Sequence, residues 1–363
     1  MKDKYRIDSH KLIFHPGRVA GWLEAGSEWE LLKKIYPIYV EVSPVGFCNH
    51  RCTFCARDFM GYQNRKIPFD ILKTRLSEMA GLGVKSVMFA GEGEPTLYKE
   101  LPEIIEHCHE VGIDTSLTTN IVPLTEDGMQ CFVKYCKWIK VSINGGTAEN
   151  YAHIHRTGER DFHRAVENMR KCVEFRSKNG YKCTIGAQLL LVPDNSHTVV
   201  ELAKTMRGTG VDYLVIKPYS HHAESRTAEY KNLDYRASLD LKEQLDKYNT
   251  DGFQVIFRVD AQSGDAPGNS KYKTCHSVPF FWAYIMSDGT VSGCSTFLTD
   301  DNFNLGNINE NSFQQIWEGD RRKKCVDYLK TFDTCNCREN CRMDKINNYL
   351  RELVIPDEHV NFI

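Results

Sequence analysis

From residue 37 onward the chain alternates short apolar runs with amphipathic stretches, and this rhythm constrains the fold more than any other feature. Residues 38–42, 86–90, 114–118, 138–143, 184–192 and 213–217 read as strands: short, apolar and bounded by turn-forming residues. Between them the apolar period lengthens to that of a helix, over 69–79, 162–175 and 199–206, and in a segment where Leu101, Ile104, Ile105 and Cys108 share one face. Six strand–helix units in succession predict an α/β fold, a parallel sheet curled into a partial (β/α)6 TIM-like barrel, with a doubly wound open sheet as the alternative. Barrels keep their chemistry at the carboxyl ends of the strands, so residues there are the ones to inspect.

After residue 217 the rhythm breaks. Residues 260–270, rich in Ser, Asp, Gly and Pro, read as a linker. Residues 282–286 and 290–292, separated by Asp288-Gly289, read as a β-hairpin, followed by helices over 312–329 and 342–353. The chain thus divides into an N-terminal extension (1–36), a barrel (37–259) and a small C-terminal domain of hairpin plus helix (260–363). With 46 Lys and Arg against 48 Asp and Glu, the formal charge is −2, which gives no footprint for nucleic acid or an anionic membrane. No apolar run approaches the roughly 20 residues of a membrane span, and the first residues lack a signal peptide's apolar stretch. A cytoplasmic location is expected.

Fourteen cysteines are then far too many for packing alone, and without an export signal they point to metal or redox chemistry rather than disulfides. Cys48, Cys52 and Cys55 fall in a loop directly after the first strand. Three thiolates at that spacing can hold three irons of a cubane cluster and leave the fourth open to a ligand; a zinc site would close all four positions. Cys275, Cys294, Cys325, Cys335, Cys337 and Cys341 form a second set. Cys108 and Cys172 lie on apolar helix faces and read as packing, and the histidine pairs His221/His222 and His153/His155 read as loop and helix residues without a ligand role.

The run Cys48-Asn-His-Arg-Cys52-Thr-Phe-Cys55, with aromatic Phe54 before the last cysteine, resembles the signature of the radical SAM enzymes. The resemblance covers most of the chain and implies a [4Fe–4S] cluster on Cys48, Cys52 and Cys55 that binds S-adenosylmethionine (SAM) and cleaves it to a 5′-deoxyadenosyl radical. Gly91-Glu92-Gly93-Glu94-Pro95 resembles the family's contact to the SAM amino group, and either Glu92 or Glu94 could make it. Ser142 and Asn144 resemble its ribose and carboxylate contacts, while Gln188, Lys217 and Tyr219 match places where such enzymes hold the nucleoside. Cys275, Gly289 and Cys294 resemble the opening of the auxiliary domains called SPASM and twitch. The six cysteines from Cys275 onward are fewer than a full SPASM domain uses, so the resemblance implies one auxiliary [4Fe–4S] cluster, on Cys275, Cys294, Cys337 and Cys341, with Cys335 as rival to Cys337.

What the resemblance implies for the reaction is an oxidoreductase or epimerase that takes hydrogen from a carbinol carbon of a small polar substrate, a sugar or nucleotide sugar in carbohydrate biosynthesis, with a flavodoxin or ferredoxin as reductant. Peptide maturation is the alternative, disfavoured but not excluded by the 36 residues before the first strand, where peptide-modifying relatives commonly carry a leader-recognition domain. A non-enzymatic iron–sulfur electron carrier is the remote one, since a carrier needs no open iron ringed by SAM-binding elements.

Overall fold

In the computed structural model, which describes residues 4, 5, 7, 10–231, 233–235, 238, 240–258, 272–338 and 341–361, the six predicted strands are neighbours in chain order. They are β1 (Tyr39–Val42), β2 (Ser86–Phe89), β3 (Asp114–Thr119), β4 (Cys136–Ser142), β5 (Thr184–Leu191) and β6 (Tyr213–Pro218), all parallel. Sequential order without a reversal is that of a barrel, not of a doubly wound sheet.

Two parallel strands were not read from the sequence as part of it. β7 (Gln254–Phe257) pairs with β6, and β8 (Trp282–Ile285) pairs parallel with the free side of β1. The predicted hairpin is therefore present as β8 and β9 (Thr290–Ser292), but it extends the barrel sheet, with β10 (Asn304–Asn307) outermost. Periodicity reveals that β8 is a strand; only the partner it meets decides which sheet it joins. The predicted linker lies outside the described residues.

Helices α1 (Pro16–Ala25) and α2 (Trp29–Leu32) precede the barrel. Around it run α3 (Phe69–Gly81), α4 (Leu101–Glu110), α5 (Glu126–Tyr135), α6 (Ala148–His155), α7 (Arg160–Asn179), the single turn α8 (Pro193–Ser196), α9 (Val199–Thr209) and α10 (Asp240–Asp246). The C-terminal part holds α11 (Val278–Phe281), α12 (Phe313–Trp317), α13 (Asp320–Leu329) and α14 (Asp344–Val354). The single helix expected over 312–329 is thus two, broken at Glu318-Gly319.

Alternation along each strand sets the two faces apart. Val40, Val42, Val87, Phe89, Ile139, Val141, Ile185, Ala187, Leu214 and Ile216 face the helix layer and pack with Leu72, Leu76, Ile104, Phe132, Met169 and Leu202 in the main core. The opposite face, the lumen, carries Tyr39, Glu41, Met88, Thr118, Lys140, Ser142, Gln188 and Lys217. Its polarity marks it as a site rather than a core.

The N-terminal extension packs outside the barrel, where Leu12, Val19, Trp22 and Leu32 form a second apolar cluster with Phe280, Phe281, Val326 and Leu350. Arg322 locks this junction. It is fully buried and donates to the carbonyls of Leu32, Lys33, Ile35, Pro279 and Trp317. Among the described residues no helix is long and apolar enough to cross a membrane.

Candidate active site

The loop after β1 folds back on itself: Gly46 N–H donates to Arg65 O at 2.9 Å, and Val45 and Lys66 form an isolated antiparallel bridge. This holds the segment bearing Cys48, Cys52 and Cys55 against the end of β2. Gly93 is the shelf. A Cβ there would lie 2.1 Å from Phe47 O, and the next residue, Glu94, donates its N–H to the same carbonyl at 3.0 Å.

Burial, with the Glu94 carboxylate as second cause, pushes the Cys48 thiol up to about 12, and burial beside Cys55 and Cys48 raises Cys52 well above the usual range. Thiols so placed stay protonated and inert until a metal takes their protons. None of the three is in a disulfide. The donor set therefore fits iron, and these residues would hold a cluster with one iron free of protein ligands.

His155, one of the histidines read as lacking a ligand role, lies against the cysteine loop. Thr147 caps α6 by accepting from Asn150 N at 3.2 Å, and the helix ends at His155, where Arg156 takes φ 49°. His155 is buried, and burial, helped by His50, keeps it neutral. Asn144 N–H donates to its Nε2 at 3.1 Å, so the ring proton sits on Nδ1, 3.3 Å from Cys52 Sγ. With His50, these two make up a group of three potential metal donors within 4.8 Å of one another.

The structure separates the two glutamates. Glu92 accepts from Ser287 N at 2.8 Å, Ser287 Oγ at 2.6 Å and Arg65 at 2.9 Å, which ties the β2 end to the β8–β9 turn. Glu94 lies on the cysteine side, accepting from Thr96 N at 3.1 Å, Asn120 N at 2.7 Å and the Thr119 hydroxyl, and burial raises its carboxyl.

Ser142 and Gln188 are cross-strand partners on the lumen face, and Gln188 Oε1 is buried without a partner. Asn144 is knitted into the β4–β5 ends instead, its Oδ1 accepting from Leu190 N at 2.8 Å. Lys217 sits at the carboxyl end of β6, and Tyr219 packs with Phe54 and Tyr230 in a small apolar cluster. Gly91, at φ 127°, lies where a Cβ would meet Ser43 at 2.5 Å.

In the second set, burial pushes Cys294 up to about 11 and Cys337 up to about 12, and each has Cys275 among its electrostatic neighbours; Cys341 is raised by burial and by Cys294. Cys335 is exposed and paired with Asp333. Cys275, Cys294, Cys337 and Cys341 are thus electrostatic neighbours. Cys325, on α13, adds a fifth buried thiol beside Cys294 and Cys275.

Two arginines that the sequence did not single out, and His222, which it read as a loop histidine, close the gap between the sets. Arg57 donates to Ser295 O at 2.8 Å and lies 5.4 Å from the Tyr284 ring. Arg338 donates to Ser220 Oγ at 3.0 Å. His222 stacks on Phe59 at 5.0 Å, and burial, with Arg57 and Arg338, holds it down at about 4. Only the contact between elements distant in sequence could have marked them.

The sequence matches the radical SAM superfamily over residues 42–216 and the iron–sulfur cluster-binding domain family named SPASM over residues 275–342. An S-adenosylmethionine-dependent nucleotide dehydratase of Lacinutrix mariniflava is 33% identical over 125 residues, which is 32% of this chain and 26% of that protein. A GTP 3′,8-cyclase of Rhizobium leguminosarum bv. trifolii is 27% identical over 242 residues, 63% of this chain and 67% of the cyclase. The crystal structure of Streptococcus suis SuiB bound to the precursor peptide SuiA has the same fold, with TM-score 0.64 and 20% identity over 88% of this chain and 71% of SuiB. The cofactors are therefore SAM, a [4Fe–4S] cluster that binds it, and auxiliary iron–sulfur. Two family matches on two separate cysteine sets make this chain a member of the radical SAM superfamily, an enzyme with a SPASM-type auxiliary domain.

Proposed function

We propose that the enzyme dehydrogenates a carbinol carbon of a sugar or nucleotide sugar. What supports this reading is that Cys275, Cys294, Cys337 and Cys341 are electrostatic neighbours able to supply four ligands, with Arg57 bridging from the first cysteine loop to Ser295. A fully ligated centre suits electron transfer rather than substrate coordination. When bound, the first cluster supplies the electron that cleaves SAM, and the second offers an acceptor for the electron that an oxidation releases.

The chain's own residues supply the rest. Ser142, Gln188, Lys217 and Tyr219 line the strand ends where the nucleoside part of SAM would lie, and Glu94 is the carboxylate placed for its amino group. His222 is neutral, and Glu224 N–H donates to its Nδ1 at 3.2 Å, so its proton sits on Nε2, on the side of the Thr296 backbone. Epimerisation would need a second hydrogen donor at the mouth. Cys108, Cys131 and Cys172 lie on helices, Cys136 and Cys183 lie at the amino ends of β4 and β5, the far end from Ser142, Cys325 is fully buried on α13, and Cys335 is exposed. Oxidation fits better.

Two relatives named for nucleotides support a nucleotide-linked substrate. A cavity of about 370 Å³ opens on Cys52 between Arg51, Arg156 and Arg226, a basic rim that favours an acidic reductant such as a flavodoxin or ferredoxin. The test is anaerobic 5′-deoxyadenosine release from SAM with a panel of sugars, nucleotide sugars and peptides. Stimulation by a nucleotide sugar, with a keto product, is the expected result; stimulation by peptides alone would overturn the reading.

A further inference from the structure

The amide of Asn347 reaches from the C-terminal helix to a sulfur of the second cysteine set. Asn347 lies on α14, a helix that starts shortly after Cys341, where Asp344 N–H donates to Cys341 O at 3.1 Å. Its side chain is fully buried, and its Oδ1 accepts from His276 N at 2.9 Å and from Ser277 N at 3.0 Å. Two backbone donors on one atom fix which end of the amide is oxygen. The other end, Nδ2–H, donates to Cys275 Sγ at 3.3 Å.

A second side chain meets the same sulfur. Ser277, also fully buried, places its Oγ 3.6 Å from Cys275 Sγ. A thiolate bonded to iron has no proton to give, so toward a ligated Cys275 both groups are donors. The N-terminal extension holds this arrangement from outside. Leu350, three residues beyond Asn347 on α14, is buried with Leu12, Val19 and Trp22, and the Trp22 ring lies 5.3 Å from that of His276. Cys294 differs, because its Sγ accepts from the backbone of Thr296, two residues on, at 3.4 Å. That donor comes with the local turn, whereas the amide on Cys275 comes from 72 residues away.

We infer that Asn347 is a positioning residue of the auxiliary centre: its Nδ2–H, with the Ser277 hydroxyl, donates to the Cys275 thiolate and raises the reduction potential of the cluster that Cys275 would hold. A donor aimed at a ligating sulfur stabilises the more negative, reduced state, and dry surroundings strengthen the bond. The inference rests on the reading of Cys275 as an auxiliary-cluster ligand. It deepens the oxidation reading, because a raised potential suits a centre that accepts an electron. It also gives the N-terminal extension and α14 a task, which is to keep the amide against the sulfur.

The experiment is an EPR-monitored redox titration of the anaerobically reconstituted full chain, with the SAM-binding cluster as internal reference. Asn347→Leu, close in shape but without the donor, should shift the auxiliary reduction equilibrium toward the oxidised state at least about tenfold, which is about 59 mV for one electron. Ser277→Ala, which removes a hydroxyl and leaves the backbone bonds to Asn347 in place, should shift it about threefold the same way. The midpoint of the SAM-binding cluster should not move, and iron should stay at about eight per chain. A second readout needs no variant to fold. With asparagine isotopically labelled at its amide nitrogen, the reduced auxiliary cluster of the parent should show a nitrogen hyperfine coupling. No such coupling in the parent, or an unchanged auxiliary midpoint in Asn347→Leu at full iron, would overturn the inference alone. Iron content tests the underlying reading separately: Cys275→Ala should fall to about four irons, and no fall would remove the ligand assignment and the inference with it.

Discussion

At the scale of single residues, the site is built from hydrogen bonds that choose between chemically similar groups. His155 directs Nδ1–H at Cys52 because Asn144 occupies its other nitrogen. An N–H donor to a cluster-ligating sulfur draws electron density from the metal and raises its potential. His155→Ala is therefore expected to lower the midpoint potential of the SAM-binding cluster, read by EPR-monitored redox titration, with iron content retained. The two glutamates divide in the same way. Glu94→Gln should weaken SAM binding, measured by equilibrium dialysis. Glu92→Gln should leave it intact while removing the charge that faces Arg65, at a cost of about 2 kcal/mol in unfolding free energy. The order of these effects was hidden in Gly-Glu-Gly-Glu, where the two acids are equivalent by spacing. Ser287 and Thr119, far apart in the chain, distinguish them.

At the scale of elements, close approaches and short polar ties set where loops and helices lie. The Cys48–Cys55 loop rests on Gly93 so tightly that Gly93→Ala must displace the Phe47 carbonyl. Loss of about four irons from the reconstituted protein, by iron and sulfide assay, is the expected outcome. The break between α12 and α13 places Glu318 against the N-terminal extension. Burial works against its charge, but hydrogen bonds from Lys34, Tyr36 and Gln314 outweigh it and hold the carboxyl down at about 2. Because the folded value lies below the ordinary 4.5, this tie contributes its full stability above about pH 4.5 and loses it as pH falls through about 2. Glu318→Gln should flatten the acid limb of the stability curve within that window, measured by urea unfolding. A helix-period pattern spans Ser312 to Leu329 without showing the break, since the turn at Glu318-Gly319 interrupts the backbone, not the apolar spacing.

At the scale of the whole molecule, one continuous sheet carries both cysteine sets. β8 pairs with β1 and β9 pairs with β8, so the strand leading to Cys294 lies one strand away from the strand leading to Cys48. Cys275, Cys294, Cys337 and Cys341 are electrostatic neighbours of one another, and Cys335 is exposed. Cys337→Ala should lower the iron content from about eight to about four per chain, whereas Cys335→Ala should leave it unchanged, in the same assay. Cys325 is the side chain next in line, buried beside Cys294 and Cys275.

Sequence alone determined the strand–helix rhythm, the three-cysteine loop after the first strand and the second cysteine set, because each depends on residues close together in the chain or on a short apolar period. Tertiary structure decided what those local signals leave open. It joined the C-terminal hairpin to the barrel and put Arg57, His222 and Arg338 between the two cysteine sets. Each of these depends on contacts between elements far apart in sequence. Hydrogen-bond geometry and desolvation at such contacts are set by packing, and no spacing along the chain encodes them.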